Sequence, residues 1–318
     1  MKVLLIGKLS GGIARHVHYL KKYSKNHVIT FTYASDGDYT VPIINIPVLR
    51  ALSFAIAGFF YGLYCIRKEK PDIIHAHFIL PAGFLGMLLS AFTGKKLVLT
   101  VHGSDVMKAS LLNQLKKIVC RRAKVIAVSQ FLADELKKWG LHAKVIPNGI
   151  DAAEIRKAKP IRIRMPAVLF VGNLVREKVS FLQDIISPDC NFYIIGGGPL
   201  ASRLGGIKLG ALPPEQVYSY MKSADCLIST SEWEGFGLTI LEAMACGLPV
   251  ICRPRGAAKE LADGRALFAD SPQEFRSQIE KLLKDPKLKG QLSRKGVQYA
   301  GKFDWKETAR RTDQLYEV

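Results

Sequence analysis

Two doubly wound α/β domains, each built on a parallel sheet, are the architecture predicted for this chain of 318 residues. Three observations predict it. Apolar runs of strand length alternate with helical stretches from end to end, the pattern of repeated βαβ units. The alternation is interrupted by a basic, proline-bounded stretch at residues 160–166 and then begins again. The length suits two cores of about 100–200 residues each better than one. A composition of 48% hydrophobic and 23% charged residues is that of a globular protein and excludes a mainly disordered or collagen-like chain.

The elements follow in order. Residues 3–6 are apolar and read as a first buried strand; four such residues before Gly7 are too few for the apolar core of a signal peptide. A helix is predicted over 15–23 and a strand over 28–33. Further strands are predicted at 73–75, 97–102, 125–128 and 144–146, with helices between them. After the linker, strands are predicted at 168–171, 192–195, 226–229 and 250–252, a helix at 238–246, and helical structure over 269–283. The first domain is assigned residues 1–156 and the second 157–302. The final stretch 303–318 is expected to form a helix. Ligands in such sheets bind outside the carboxyl ends of the strands.

Charge is uneven. The chain carries 46 Lys+Arg against 27 Asp+Glu, and residues 1–156 hold 22 and 9 of these, a net +13. A basic first half favours anionic partners, here an acidic membrane surface; no nucleic-acid module accompanies it. The six cysteines form no C-x-x-C pair and read as reduced thiols of a cytoplasmic protein, which could sit peripherally at the inner face of the cell membrane. Residues 51–66 are 16 residues without a charge, with Gly58 and Gly62 spaced G-x-x-x-G. The run is shorter than the roughly 20 residues of a membrane span and reads as a core helix, with partial membrane insertion as the alternative. Residues 78–92 read as a buried crossover helix.

Several motifs carry chemistry. In Ser231-Glu232-Trp233-Glu234-Gly235-Phe236-Gly237-Leu238-Thr239-Ile240-Leu241-Glu242 a strand gives way to a helix. Gly235 and Gly237 admit close approach of a ligand to the backbone, and the amides of Gly237, Leu238 and Thr239 would face an anion at a helix start. Glu234 and Glu242 beside a phosphate site call for hydrogen-bond donors, and sugar and ribose hydroxyls supply them. Gly11 and Gly12 follow the first strand and could expose amides to phosphate, without the G-x-G-x-x-G of a dinucleotide fold. Lys178 could neutralise a diphosphate leaving group. His102 lies just past a strand end, where a satisfied core histidine is the alternative reading. Asp105 either touches substrate or caps the following turn. The histidine pairs His16/His18 and His75/His77 give no complete ligand set, so no metal site is assigned. Asp36-Gly37-Asp38 has the D-x-D spacing of a manganese site, but its setting beside Ser35 reads as a turn.

In order and spacing these segments resemble the retaining GT-B glycosyltransferases, the group that includes glycogen synthases and many mannosyl- and glucosyltransferases, family 4-like. Glu234 and Glu242 match its E-x7-E signature. Gly11-Gly12-Ile13-Ala14-Arg15-His16 resembles its glycine-rich loop, and Thr100-Val101-His102-Gly103-Ser104-Asp105 its T-x-H-G-x-D. Residues 145–151 resemble its V-I-P-N-G-I-D segment, residues 195–200 its G-x-G-P-L, and residues 256–261 its G-x-x-E-L. Residues 169–174 with Lys178 resemble V-G-R-L-x-x-x-K-G, but Asn173 replaces the usual Arg and Val179 the usual Gly, so Arg176 is a candidate for the lost charge.

The resemblance implies a GT-B fold, two Rossmann-like domains facing a cleft, with the terminal helix packed back on the first. It implies a retaining hexosyltransferase that uses a UDP- or GDP-sugar as co-substrate, without a further cofactor or metal. His102, Glu234 and Lys178 would be catalytic. The donor would be bound by Gly11, Gly12, Asn173, Lys178, Gly198, Leu212, Glu234, Phe236, Gly237, Leu238, Thr239 and Glu242. Arg15 and Asp105 are candidates for acceptor or sugar contact. The acceptor is expected to be lipid-linked, or a polysaccharide or glycoconjugate. A sugar-nucleotide epimerase on the same fold, and a non-catalytic nucleotide-sugar-binding protein, are the rival readings.

Overall fold

The computed structural model describes residues 1–8, 11–33, 37–42, 47–107 and 111–317, and of residues 47–52 the backbone alone. The chain forms two compact units: Met1–Gly149 together with Trp305–Val318, and Ile150–Asp304.

The first unit holds strands β1 (Lys2–Gly7), β2 (His27–Tyr33), β3 (Tyr39–Val41), β4 (Ile73–His77), β5 (Lys96–Val101), β6 (Lys124–Ala127) and β7 (Ala143–Val145). All pair in parallel, in the order β3-β2-β1-β4-β5-β6-β7. A sheet covered on both faces needs near-continuous apolar strands, and Val3, Leu4, Leu5 and Ile6 of β1 are fully buried. The helices are α1 (Gly11–Tyr23), α2 (Pro47–Glu69), α3 (Phe84–Thr93), α4 (Ser104–Met107), α5 (Asn113–Arg121) and α6 (Gln130–Lys138). The strand order reverses between β1 and β4, the switch point at which such sheets open a crevice.

The second unit begins with α7 (Ala152–Lys157), capped by the Asp151 carboxylate on the Glu154 amide at 2.9 Å. Its strands are β8 (Ala167–Val171), β9 (Asn191–Ile195), β10 (Ile207–Gly210), β11 (Cys226–Ser229), β12 (Val250–Cys252) and β13 (Leu267–Phe268). They form a second parallel sheet, β10-β9-β8-β11-β12-β13, which reverses between β8 and β11. Helices α8 (Arg176–Val179), α9 (Leu182–Ile185), α10 (Pro214–Met221), α11 (Leu238–Ala245), α12 (Ala257–Ala262), α13 (Pro272–Lys284) and α14 (Pro286–Ala300) complete it. Its core joins Val168, Phe170, Phe192, Ile228 and Ile251 of the strands to Phe275 and Ile279 of α13. The last helix, α15 (Trp305–Glu317), packs on α1 of the first unit. There the Tyr19 and Trp305 rings stack at 5.0 Å, and Asp313 accepts from the Ser24 hydroxyl, the Lys25 amide and the Asn26 side chain.

Differences from the sequence reading have local causes. Helix α1 starts at Gly11 rather than at residue 15, so the glycine pair forms the first helical turn instead of a loop ahead of it. The units divide at Gly149/Ile150 rather than at 156/157, because Ile155 is buried and α7 packs on α10. The stretch 160–166, read as a linker, lies along the second unit, where the Ile161 amide donates to Ser223 Oγ and the Arg164 amide to the Tyr193 hydroxyl. The expected crossover helix over 78–92 is broken: Phe78 takes φ 74°, an irregular turn spans Ile79–Gly83, and α3 begins only at Phe84. Strands β3, β10 and β13 lie at sheet edges and carry no buried apolar run, so the sequence does not announce them. In the G-x-x-x-G run, a Cβ at Gly58 would come within 2.9 Å of Leu85, and one at Gly62 within 2.7 Å of Leu89. The two glycines therefore let α2 lie close against α3. No helix among the described residues is long and apolar enough to cross a membrane.

Candidate active site

At the carboxyl edge of the second sheet, loops are tied to one another through their backbones. The Gly196 amide donates to Gly210 O at 2.8 Å, Gly172 to Ile195 O at 2.9 Å, and Leu174 to Gly197 O at 2.8 Å. The β11 loop joins the β8 loop through Glu232 N to Glu177 O at 2.8 Å and Thr230 Oγ1 to Lys178 O at 2.7 Å. The β12 loop joins the β11 loop through Ala257 N to Glu234 O at 2.9 Å. Such close approach demands glycine. A Cβ at Gly196 would lie 1.9 Å from Gly172 O, and one at Gly198, with φ 155°, 2.5 Å from Leu174 O. Gly198 thus has a packing role here, whatever else it contacts.

This scaffold brings Lys178 and Glu234 together. Lys178 Nζ lies 2.7 Å from Glu234 Oε1, both side chains partly open to solvent, with the Trp233 ring centroid 6.0 Å from the ammonium. Just beyond, Gly237 takes φ 89° as the residue ahead of α11. The opening amides of a helix have no carbonyl of their own helix to bond, so Leu238 and Thr239 begin α11 with amides and dipole directed off its end. Glu242 is buried on α11 and accepts from the Tyr218 hydroxyl at 3.2 Å. Asn173 and Arg176 are exposed, and Leu212 is half-buried between β10 and α10. Phe236 is turned into packing, its ring 6.0 Å from Phe303, which leaves its backbone as the part of the residue able to meet a donor.

The first unit gathers a histidine cluster, His16, His75 and His77 buried and His102 half-buried, that sequence reasoning did not assemble. His77, ending β4, points Nδ1 at His102 Nε2 just past β5, 2.9 Å away, with the rings stacked. His16 of α1 stands edge-on to both, and its Nδ1 meets Asn148 Oδ1 at 2.7 Å. His75 stacks on His77 and bonds the Tyr316 hydroxyl and Thr100 Oγ1. Two positions apart on β4, His75 and His77 share one face of the sheet, which is why their rings stack side by side. Burial lowers all four: His16 to about 4, His75 to about 3, and His77 and His102 well below the usual imidazole range. All four rings are neutral at physiological pH. Among the described residues, His16 Nε2 and His77 Nε2 are buried without a hydrogen-bond partner, and no group of His, Cys, Asp or Glu is arranged to hold a metal ion.

Asp105 is buried and ties down the turn before it rather than capping the one that follows. Its carboxylate accepts from the amides of Gly103 at 2.9 Å, His102 at 3.2 Å and Ile79 at 3.3 Å, which fixes the turn carrying His102. Burial raises its pKa and these amides oppose the rise. Phe78 follows His77 at a φ that a bulky residue adopts only under constraint. Its amide is held by Thr100 O at 3.0 Å and its ring lies against His102. Gly11 and Gly12 open α1, where a side chain would meet no atom of the described residues within 4 Å, and Arg15 follows one turn on, half-buried. Asp36 of the D-x-D lies outside the described residues. Asp38 accepts from Thr30 N and Oγ1 and pairs with Lys21 at 2.7 Å, the bonds of a structural turn.

Comparison with known proteins bears on this arrangement. The family model Glycosyltransferase Family 4 matches residues 10–154, and Glycosyl transferases group 1 matches residues 151–299. An uncharacterized glycosyltransferase of Methanocaldococcus jannaschii is 30% identical, over 96% of this chain and 94% of its own. A phosphatidylinositol N-acetylglucosaminyltransferase subunit of Arabidopsis thaliana is 26% identical, over 96% of this chain and 78% of its own. Among solved structures, the Anabaena protein HepE in complex with UDP-glucose superposes over the whole of both chains with a TM-score of 0.79 at 20% identity. The two parallel sheets are those of the GT-B fold, and the chain belongs to the group 1 glycosyltransferases, family 4-like enzymes that transfer glycosyl units.

Proposed function

We propose that the enzyme moves a hexosyl unit from a UDP- or GDP-sugar to a lipid-linked, polysaccharide or glycoconjugate acceptor, with retention at the anomeric carbon and without a metal ion. The Lys178–Glu234 pair, set just ahead of the α11 amides, carries the reading. A departing diphosphate gains negative charge as its bond to the sugar breaks, and a lysine beside a helix start answers that charge without an ion. Glu234, released from part of its pairing, accepts from sugar hydroxyls. Glu242 accepts from the ribose, oriented by Tyr218. Asn173, Gly12 and the amides of Gly237, Leu238 and Thr239 serve the diphosphate, and Leu212 borders the base. His102 offers a neutral imidazole to the transferred sugar. The acceptor oxygen bonds to the anomeric carbon on the face that the diphosphate leaves, and the leaving phosphate takes the acceptor's proton.

Support for a nucleotide sugar comes from the UDP-glucose bound by HepE, and support for a lipid-linked acceptor from the name of the Arabidopsis relative. The net +13 of residues 1–156 fits action at an anionic membrane surface, reached from the cytoplasm. The test is a thermal-shift screen of nucleotide sugars, followed by transfer assays with and without chelator and assignment of the product anomer by NMR. Stabilisation by a UDP- or GDP-sugar, chelator-insensitive transfer and an unchanged anomer are expected. An inverted anomer, chelator-abolished transfer, or conversion of the donor to an epimer without any acceptor overturns the reading.

A further inference from the structure

We propose that the outer face of α2, α3 and α5 is a membrane-docking surface that inserts aromatic side chains among the acyl chains of an anionic bilayer. This deepens the membrane attachment proposed above and rests on it only for the enzyme's place of action.

The inner face of α2 carries Phe54, Gly58 and Cys65, buried, with Gly58 and Gly62 set against Leu85 and Leu89 of α3. The opposite face should therefore be polar. Instead Ile56, Phe60 and Tyr64, at i, i+4 and i+8, are 54%, 69% and 53% exposed. The row continues sideways: Phe59 bridges Phe60 at 5.6 Å and Phe92 of α3 at 5.5 Å, and Phe92 is 74% exposed. Helix α5, packed on α3, adds exposed Ile118. A contiguous patch of this kind marks an interaction site.

Charge selects the occupant. Residues 47–124 carry 12 lysines and arginines and three acids. Of the acids, Asp105 is buried, Glu69 accepts from the Tyr39 hydroxyl, and Asp72 accepts from the Lys2 amide. Crossover helices of a parallel sheet all run opposite to its strands, so the carboxyl ends of α2, α3 and α5 lie along one edge. Those ends bring together Arg67 and Lys68, Lys96, and Arg121 and Arg122, all exposed. Aromatic side chains bordered by such a row match the interface of an anionic leaflet, acyl chains beneath headgroup charge. Docked this way, the enzyme lies on the bilayer, and the opposite edge of the sheet, with His77 and His102, stays uncovered.

The test is vesicle co-sedimentation of the full chain and of Phe60→Ser/Phe92→Ser, with phosphatidylcholine alone and with about 30% phosphatidylglycerol, at low salt and at about 0.5 M salt. The native chain should bind the anionic vesicles and keep a salt-resistant fraction; the double variant should lose that fraction and bind about tenfold or more weakly at low salt. Its thermal midpoint and transfer to a soluble acceptor should match those of the native chain. Equal binding by both proteins overturns the insertion surface while leaving electrostatic attachment standing. No binding at either salt overturns both, and neither result touches the transferase reading, which the soluble-acceptor assay reports separately. A change of oligomeric state on gel filtration with no change in vesicle binding shows a face for a second copy and overturns the proposal.

Discussion

Gly256 leaves room for Glu234: a Cβ at Gly256 would lie 2.6 Å from the Glu234 carbonyl oxygen and 3.0 Å from its amide nitrogen. The next residue, Ala257, donates its amide to that same carbonyl at 2.9 Å. The loop after β12 therefore sets the backbone that aims Glu234. Gly256→Ala meets both the clash and a φ of 62°, open in practice to glycine alone. The substitution is expected to destabilise the second unit by about 2 kcal/mol and to lower transfer along with it. Scanning calorimetry checks this, and an unchanged melting temperature refutes the role given to the loop.

Lys178 and Glu234 should separate by kinetics. Lys178→Met removes the cation proposed to face the diphosphate and is expected to lower kcat by roughly 10²–10³-fold. Glu234→Gln should weaken binding of the nucleotide sugar while leaving inhibition by the free nucleoside diphosphate near its native value. Glu242→Gln should weaken both if, as proposed, its carboxylate accepts from the ribose. The 2.7 Å pair is partly exposed, so its loss should cost no more than about 1 kcal/mol of stability. Steady-state kinetics with competitive inhibition by the diphosphate decides, and equal weakening of sugar nucleotide and diphosphate by Glu234→Gln contradicts the assignment.

The glycine pair of α1 gives a prediction of opposite sign for stability and function. Gly12 opens a helix, and a Cβ there meets nothing within 4 Å among the described residues. Gly12→Ala should leave the fold intact and stabilise it by up to about 1 kcal/mol through helix propensity. If the amides serve the diphosphate, the added methyl should still raise the donor KM. A variant that is both more stable and fully active shows that no ligand approaches this turn.

How far the sequence spoke for itself depended on the kind of interaction. The long inner strands β1, β4, β5 and β8 announced themselves because both faces are buried, which leaves unbroken apolar runs. The E-x7-E segment was legible because a strand end, a positive-φ glycine and a helix start lie in a few consecutive residues. The Lys178–Glu234 pair was not, since it joins residues brought together only by cross-loop backbone bonds such as Glu232 to Glu177. The histidine cluster was hidden for the same reason: His16, His77 and His102 come from α1, β4 and the turn after β5. Partial membrane insertion of residues 51–66 was an alternative from the sequence, but which residues of α2 stay exposed was not legible, because the run is apolar all round and does not say which face is covered.

That histidine cluster should make stability depend on pH. Each ring has its folded pKa below the ordinary 6.5, with burial as the main cause, and His16 stands at about 4. Between these values the unfolded chain binds protons that the folded protein does not. Stability therefore rises with pH in this window and is lost as pH falls below about 6.5. His16 alone accounts for a loss on the order of 3 kcal/mol by pH 4. Above pH 7 the rings are neutral in both states and contribute no slope. Urea denaturation of the native chain and of His16→Gln at intervals from pH 4 to 8 reads the effect. The native curve should fall steeply on the acid side, and the variant, lacking one of the titrating rings, should fall less. Parallel acid limbs in the two proteins would show that His16 titrates alike in the folded and unfolded states.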